Sequence, residues 1–185
     1  MKWKYEIIPE SKVAEVKAFQ YFMRLKALFR QGWLQRQVDA DKVESAADHS
    51  FGTAILALLL CPEHLDRLRV LEIALLHEAG ECIIGDLTPA DNIDEAEKSR
   101  LELQAAEKIL SPLPDGDRLL GLWKEFEFET SAEGRFVRQL DKLEMGLQAE
   151  IFSETGNNQA LELLISAQKK VTDSSLRKYL FDCSE

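Results

Sequence analysis

The stretch LLHEAGECIIGD, residues 75–86, places His77, Glu78, Glu81 and Asp86 at the end of an apolar helical run. Val70, Ile73 or Ala74, His77 and Glu81 recur at steps of three and four, so the last two continue a stripe that faces inward. A carboxylate buried without a partner is costly and calls for a cation, a metal or hydrogen-bond donors. On these residues alone one reading is a hydrogen-bonded helix-end histidine with solvated carboxylates on a frayed turn. Two other places point to a metal instead. His49, in SAADHSF, stands at the entrance to another apolar helix, and Asp141, in FVRQLDKLEM, is a lone carboxylate beside Val137, Leu140 and Leu147. Imidazole and carboxylate donors converging from three helices suit Mn, Co, Fe, Zn or Ni, and four protein ligands leave positions for water and substrate on a six-coordinate ion. That donor set describes a catalytic site rather than a closed structural one.

Other chemistries are excluded by inspection. The HExxH signature of zinc proteases needs a second histidine where this chain has Glu81. P-loop and GxGxxG patterns are absent, no Ser or Cys sits in a nucleophile elbow, and Cys82 reads as packing. His64, after CPE, reads as a surface or capping residue.

The elements that must position these groups are helices, because strand alternation is nearly absent. The spacing predicts an all-α bundle of about six to eight helices. A first helix is expected over about 11–31, its apolar side marked by Val13, Val16, Phe19 or Tyr21, Met23 and Leu28, with Gly32 ending it. SAAD makes Ser45 the N-cap of a second helix with Asp48 as its third residue. A third begins near Pro62 or Glu63 and runs into the opening stretch, with Gly85 as its stop. GDLTPADNI is a loop, and Asp94 and Glu97 cap a charged fourth helix ending near Leu110. A short aromatic helix over about 119–128 follows. Thr130 and Glu133 read as a cap opening a long helix through Phe136, Leu140 and Ile151, and TGNN ends it before one or two C-terminal helices.

The chain has 185 residues, 45% apolar and 30% charged, which fits one domain over 1–185. A net charge of −10 makes nucleic-acid polymers and anionic membrane surfaces poor partners, yet leaves room for a small phosphorylated ligand held by an ion or an arginine. MKWKYEIIPE lacks the apolar run of an export signal, and Phe51–Cys61 is about half a membrane span. Cys61, Cys82 and Cys183 have no paired spacing, which fits free thiols in a reducing cytoplasm.

The ordered set His49, His77-Glu78 and Asp141, with Glu81 and Asp86 between, resembles the HD-domain metal-dependent phosphohydrolases, and within them the 5′-deoxynucleotidase branch. The pieces that carry the resemblance are GWLQRQV, ESAADHSF, ALLHEAGECIIGDLTPADNI and SAEGRFVRQLDKLEM, spanning about 20–155, with C-terminal helices over 157–182 packing on that core. The resemblance implies an all-helical, usually dimeric enzyme that removes the 5′-phosphate from nucleoside monophosphates, favours deoxyribose, and works with Mn²⁺ or Co²⁺; Zn²⁺, Fe²⁺, Ni²⁺ and Mg²⁺ are further options. By position, His49, His77, Glu78 and Asp141 would hold the metal. Glu81 would orient or deprotonate the attacking water, and Asp86 would stand as proton donor to the leaving oxygen. Trp33 would pack on the sugar, Arg36 would reach the phosphate, and Thr88 would contact substrate.

Two departures from the pattern set further expectations. Gly32 stands where bacterial members have an arginine. The name-giving aspartate is Glu78, whose carboxylate reaches about 1.5 Å further, one carbon–carbon bond. Because misplacement of about 1 Å can cost on the order of a hundredfold in rate, the alternative expectation is a catalytically weakened metal- or nucleotide-binding protein.

Overall fold

The computed structural model describes residues 6–180. The first helix, α1 (Ala14–Met23), is shorter than its periodicity predicts and passes into a 3₁₀ turn, Arg24–Ala27. Ala18, Tyr21, Leu25 and Leu28 are buried, whereas Val13, Val16 and Phe19 are exposed. The chain leaves the helix because it pairs with a later segment: Phe29 bridges Ser45, Arg30 N–H donates to Glu44 O at 3.2 Å and Ala46 N–H to Leu28 O at 2.9 Å. Gly32 therefore ends no long helix; it lies inside the short α2 (Gln31–Leu34).

The capping box at Ser45 forms as expected, with Asp48 N–H donating to Ser45 Oγ at 3.2 Å and Ser45 N–H to Asp48 Oδ2 at 2.8 Å. It starts α3 (Ala46–Leu60), and so fixes the first turn that carries His49. The next helix, α4 (Arg67–Leu76), opens at Asp66 rather than near Pro62, because the Asp66 carboxylate accepts from Arg69 N–H. It does not run on to Gly85. At His77–Ala79 the backbone tightens into a 3₁₀ turn, and α5 (Glu81–Ile84) follows before Gly85 turns the chain at φ 82°. A Cβ on Gly80 would lie 2.9 Å from Glu102 Cβ and 3.0 Å from its Cα, so a neighbouring helix is pressed against this turn.

That neighbour is α6 (Glu95–Leu110), capped by Asp94, whose carboxylate accepts from Glu97 N–H at 2.8 Å. It leads to α7 (Gly116–Glu127). The long α8 (Ala132–Glu154) is capped by Ser131, one residue later than the T-x-x-E pattern indicates, because Ser131 Oγ accepts from Gly134 N–H at 2.9 Å. The short α9 (Leu161–Lys170) and α10 (Ser174–Arg177) complete the bundle.

The main core is built by α3, α4, α7 and α8, with Val70, Ile73, Ala74, Leu122, Phe126, Val137, Leu140 and Leu143 packed together and Ala167, Leu176 and Leu180 closing one side. Leu122, Trp123 and Phe126 are buried, so the aromatic segment around α7 packs the interior. Among the described residues, no helix is long and apolar enough to cross a membrane, and Cys61 and Cys82 are buried free thiols; Cys183 and the first five residues lie outside them.

Candidate metal centre

The first turn of α3 and the tight turn after α4 bring three donor atoms into one triangle, and the middle of α8 reaches its His49 corner. His49 Nε2 and His77 Nε2 lie 3.3 Å apart, and Glu78 Oε1 stands 3.4 Å from the first and 3.3 Å from the second. Asp141 Oδ1 is 3.1 Å from His49 Nε2. All four side chains are buried.

The outer nitrogens decide what the inner ones present. His77 Nδ1 is 2.7 Å from Ala74 O, an atom that only accepts, so the proton is on Nδ1. His49 Nδ1 is 2.5 Å from Glu144 Oε2 and donates to that carboxylate. Both Nε2 atoms face carboxylate oxygens, so a positive charge is needed between them: a proton, or a metal ion to which the Nε2 lone pairs turn. Ligand atoms about 2.0–2.2 Å from an ion lie about 2.8–3.1 Å apart at octahedral angles and about 3.3–3.6 Å apart at tetrahedral ones, and the triangle's edges of 3.3–3.4 Å fall at the wider spacing. A ring N–H given to a carboxylate or a carbonyl is also the usual support of a metal-ligating histidine.

The electrostatics agree. Burial and Arg30 press on the His49 imidazole, yet Glu144 and Asp141 raise its pKa to about 10, so a proton stands in where a cation is wanted. Burial opposes charge on Glu78, and His77, Arg30 and His49 hold its carboxyl well below the usual range. Asp141 behaves likewise, burial opposing and Lys142 and His49 prevailing. Metal entry into such a site must displace protons.

Beside the triangle opens a cavity of about 470 Å³, lined by His77, Glu78, Asp141, Glu81, Asp86, Trp33, Arg36 and Thr88 among others. His49 lies behind its wall, fully buried. Glu81 is buried with its Oε2 unpartnered, and burial together with Glu78 and Asp86 pushes its carboxyl well above the ordinary value. Asp86 is buried and its Oδ2 accepts from Gln31 N–H at 2.5 Å, at the start of α2. Thr88 Oγ1 accepts from Gln35 at 2.9 Å. Trp33 is 2% exposed, stacks edge-on to Phe152 at 5.0 Å, and gives its indole N–H to Glu44 at 2.6 Å. Arg36 lines the cavity with its guanidinium turned to Gly32 O at 3.1 Å and Glu162 at 3.3 Å.

Two residues escaped the sequence reading. Arg30 donates to Glu78 Oε1 at 3.3 Å; burial works against its charge, and Asp86, Glu78, Glu81 and Asp141 more than restore it. Its signal was a cation three residues before Trp33, visible only once the pairing of Arg30 with Glu44 ties that segment to the start of α3. Glu144 was signalled by its i+3 spacing from Asp141 on one face of α8.

Glu102 also lines the cavity, and burial, opposed by Lys98 and aided by Glu127, raises its pKa to about 7. The folded state then binds a proton that the unfolded chain releases near 4.5, so stability is lost as pH rises from about 4.5 through 7. In Glu102→Gln, the unfolding free energy measured by urea titration in chelator across that range is expected to fall less steeply than in wild type, by up to about 3 kcal/mol; identical slopes contradict the assignment.

The HD domain family model matches residues 22–181. The 5′-deoxynucleotidase HDDC2 of Bos taurus is 42% identical over 136 residues, covering 72% of this chain and 65% of its own length. This chain thus spans somewhat less than two thirds of that relative. A conserved hypothetical protein from Pyrococcus furiosus superposes with a TM-score of 0.75 at 29% identity, over 90% of this chain and 95% of that one. A structure from Magnetospirillum magnetotacticum, described as a predicted metal-dependent phosphohydrolase, gives 0.59 at 25% identity, over 90% and 93%.

Proposed function

The chain belongs to the HD domain family, and on that premise we propose that it is a divalent-metal-dependent 5′-deoxynucleotidase, a single HD domain that removes the 5′-phosphate from nucleoside monophosphates and favours 2′-deoxyribose. The observation that carries the reading is the triangle of His49, His77 and Glu78 donors, two of which, His77 and Glu78, line a cavity together with Arg30, Glu81 and Asp86. His49, His77, Glu78 and Asp141 hold the ion, Mn²⁺ or Co²⁺ by preference. When bound, it supplies Lewis acidity to the phosphate and lowers the pKa of a water towards neutrality.

The protein groups do the rest. Arg30, with guanidinium N–H groups to spare beyond Glu78, faces the phosphate and offsets its charge. Glu81 has a buried, unpartnered carboxylate oxygen and a raised proton affinity, the properties of a group that takes a proton from an attacking water. Asp86, across the same cavity, delivers a proton to the leaving 5′-oxygen. Trp33 and Thr88 shape the sugar end, and Arg36 stands at the rim on the side of α9.

Glu78 Oε1 reaches both imidazoles at 3.3–3.4 Å, which supports a working ligand and does not favour the weakened-binder alternative. The buried thiols Cys61 and Cys82 fit a reducing cytoplasm. We place a homodimer contact on the apolar face of α3 and α4, where Phe51, Leu59 and Leu68 are 66–70% exposed and Ile55, Leu58 and Leu75 join them. Light scattering should show a dimer in solution and a monomer for Leu59→Glu; a wild-type monomer contradicts the contact.

A nucleotide panel tests the activity. With Mn²⁺ or Co²⁺, dAMP should release phosphate faster than AMP, and 3′-dAMP should release none. Metal bound without phosphate release from any 5′-monophosphate would sink the reading.

A further inference from the structure

Of the two histidines whose inner nitrogens meet at the candidate metal point, His77 is anchored by a backbone carbonyl, Ala74 O, which no substitution removes. His49 is anchored by a side chain alone: its Nδ1 donates to Glu144 Oε2, ninety-five residues away on α8. Glu144 is buried and is not one of the groups that face the point itself. Its remaining oxygen is held at close quarters by α3. Gly52 lies one turn beyond His49 on that helix, and a Cβ added there would fall 2.7 Å from Glu144 Oε1, 3.0 Å from its Cγ and 3.2 Å from its Cδ. Real Cβ atoms do not approach so closely. The clash meets the far end of a flexible side chain, so an alanine at this position moves the carboxylate rather than the helices.

We infer that Glu144 is a positioning residue for the metal site, setting the orientation of the His49 ring through its Nδ1–H, and that the missing side chain at Gly52 keeps the room in which Glu144 does so. The inference rests on the metal-binding reading of His49, His77, Glu78 and Asp141. Glu144 touches neither substrate nor ion. Its effect passes through one ring: when the carboxylate moves, the Nδ1–H loses its acceptor, the ring is free to tilt, and the Nε2 lone pair leaves the line that points at His77 and Glu78. Supporting contacts of this kind are worth about 10–100-fold in metal affinity. Gly52 makes the claim separable from a general role in packing, since alanine is the better helix former and changes no ligand.

The test is metal affinity of the full chain, freed of metal with chelator and titrated with Co²⁺ by visible absorption and with Mn²⁺ by calorimetry. Melting of the metal-free forms is followed in parallel. Glu144→Gln and Gly52→Ala should each weaken binding 10–100-fold, with the metal-free melting temperature of Gly52→Ala at or above wild type. Gly121→Ala, also a mid-helix glycine but with nothing within 4 Å of the added Cβ, should bind as wild type does. Wild-type affinity retained in both Glu144→Gln and Gly52→Ala overturns the inference while leaving the metal reading intact. Weakening in Glu144→Gln alone overturns the part given to Gly52. A wild-type chain that takes up neither ion overturns the metal reading, and this inference with it.

Discussion

In His77→Ala, metal binding should be lost and phosphate release from dAMP should drop by more than the 10–100-fold that removal of a mere supporting contact costs. His77 supplies one corner of the donor triangle, and its Nε2 stands 3.3 Å from both His49 Nε2 and Glu78 Oε1. Alanine removes that corner and leaves Glu78 without the group that does most to hold its carboxyl ionised. The fold should survive, because the ring's other contacts are a backbone carbonyl and the tilted ring of Phe126, centroids 5.0 Å apart. Thermal melting separates the two effects. A ligand that binds only the folded state stabilises it by about 2.7 kcal/mol at a hundredfold excess over its Kd, so Mn²⁺ should raise the melting temperature of the wild type and leave His77→Ala unmoved. A metal-dependent rise of equal size in both proteins would show that the ion sits elsewhere.

Glu81→Gln should separate chemistry from binding. A positioned general base contributes about 10²–10⁴-fold, and glutamine keeps the shape of the side chain while losing the ability to accept a proton. Turnover should therefore fall by that factor while Co²⁺ affinity stays near wild type, since Glu81 is not a corner of the triangle. The same variant should gain stability at neutral pH. The carboxyl is fully buried and held well above its usual pKa by burial, Glu78 and Asp86, so folding is opposed by its charge as pH rises past the ordinary glutamate value. Slower turnover together with equally weakened metal binding would instead make Glu81 a ligand.

Much of this arrangement is legible in the chain. The 3.6-residue period carries the all-α class, and the inward stripe Val70, Ile73, Ala74 predicts a burial that the structure shows as complete. The capping chemistry at Ser45 and Asp94 sets two helix starts correctly, because those hydrogen bonds are local. Long-range pairing was less visible. The turn of the chain after Met23 depends on backbone bonds that tie Leu28 to Ala46 and Arg30 to Glu44, and no periodicity reports them. That pairing is also what brings Arg30 to Glu78, so the cation beside the acidic stretch comes from a distant part of the chain. Similarly, the 3₁₀ turn at His77–Ala79 follows from the close pass of α6 over Gly80, a tertiary contact without a sequence signature of its own. Trp33 shows a different limit. Its position in the motif was clear, but its N–H bond to Glu44 and its depth in the core belong to the packing of α2 against Phe152.

The longer side chain of Glu78 delivers its carboxylate to both imidazoles. Here Glu78 lies in the tight turn, Arg30 holds its Oε1 at 3.3 Å, and the same oxygen meets both imidazoles.

The most direct measurement is phosphate release from dAMP by the purified chain, first stripped with chelator and then given Mn²⁺ or Co²⁺, with His77→Ala run beside it. The stripped wild type should release none, either ion should restore release, and His77→Ala should release none under any condition. Release that persists in chelator, or that His77→Ala sustains at the wild-type rate, would contradict metal-dependent hydrolysis at this site.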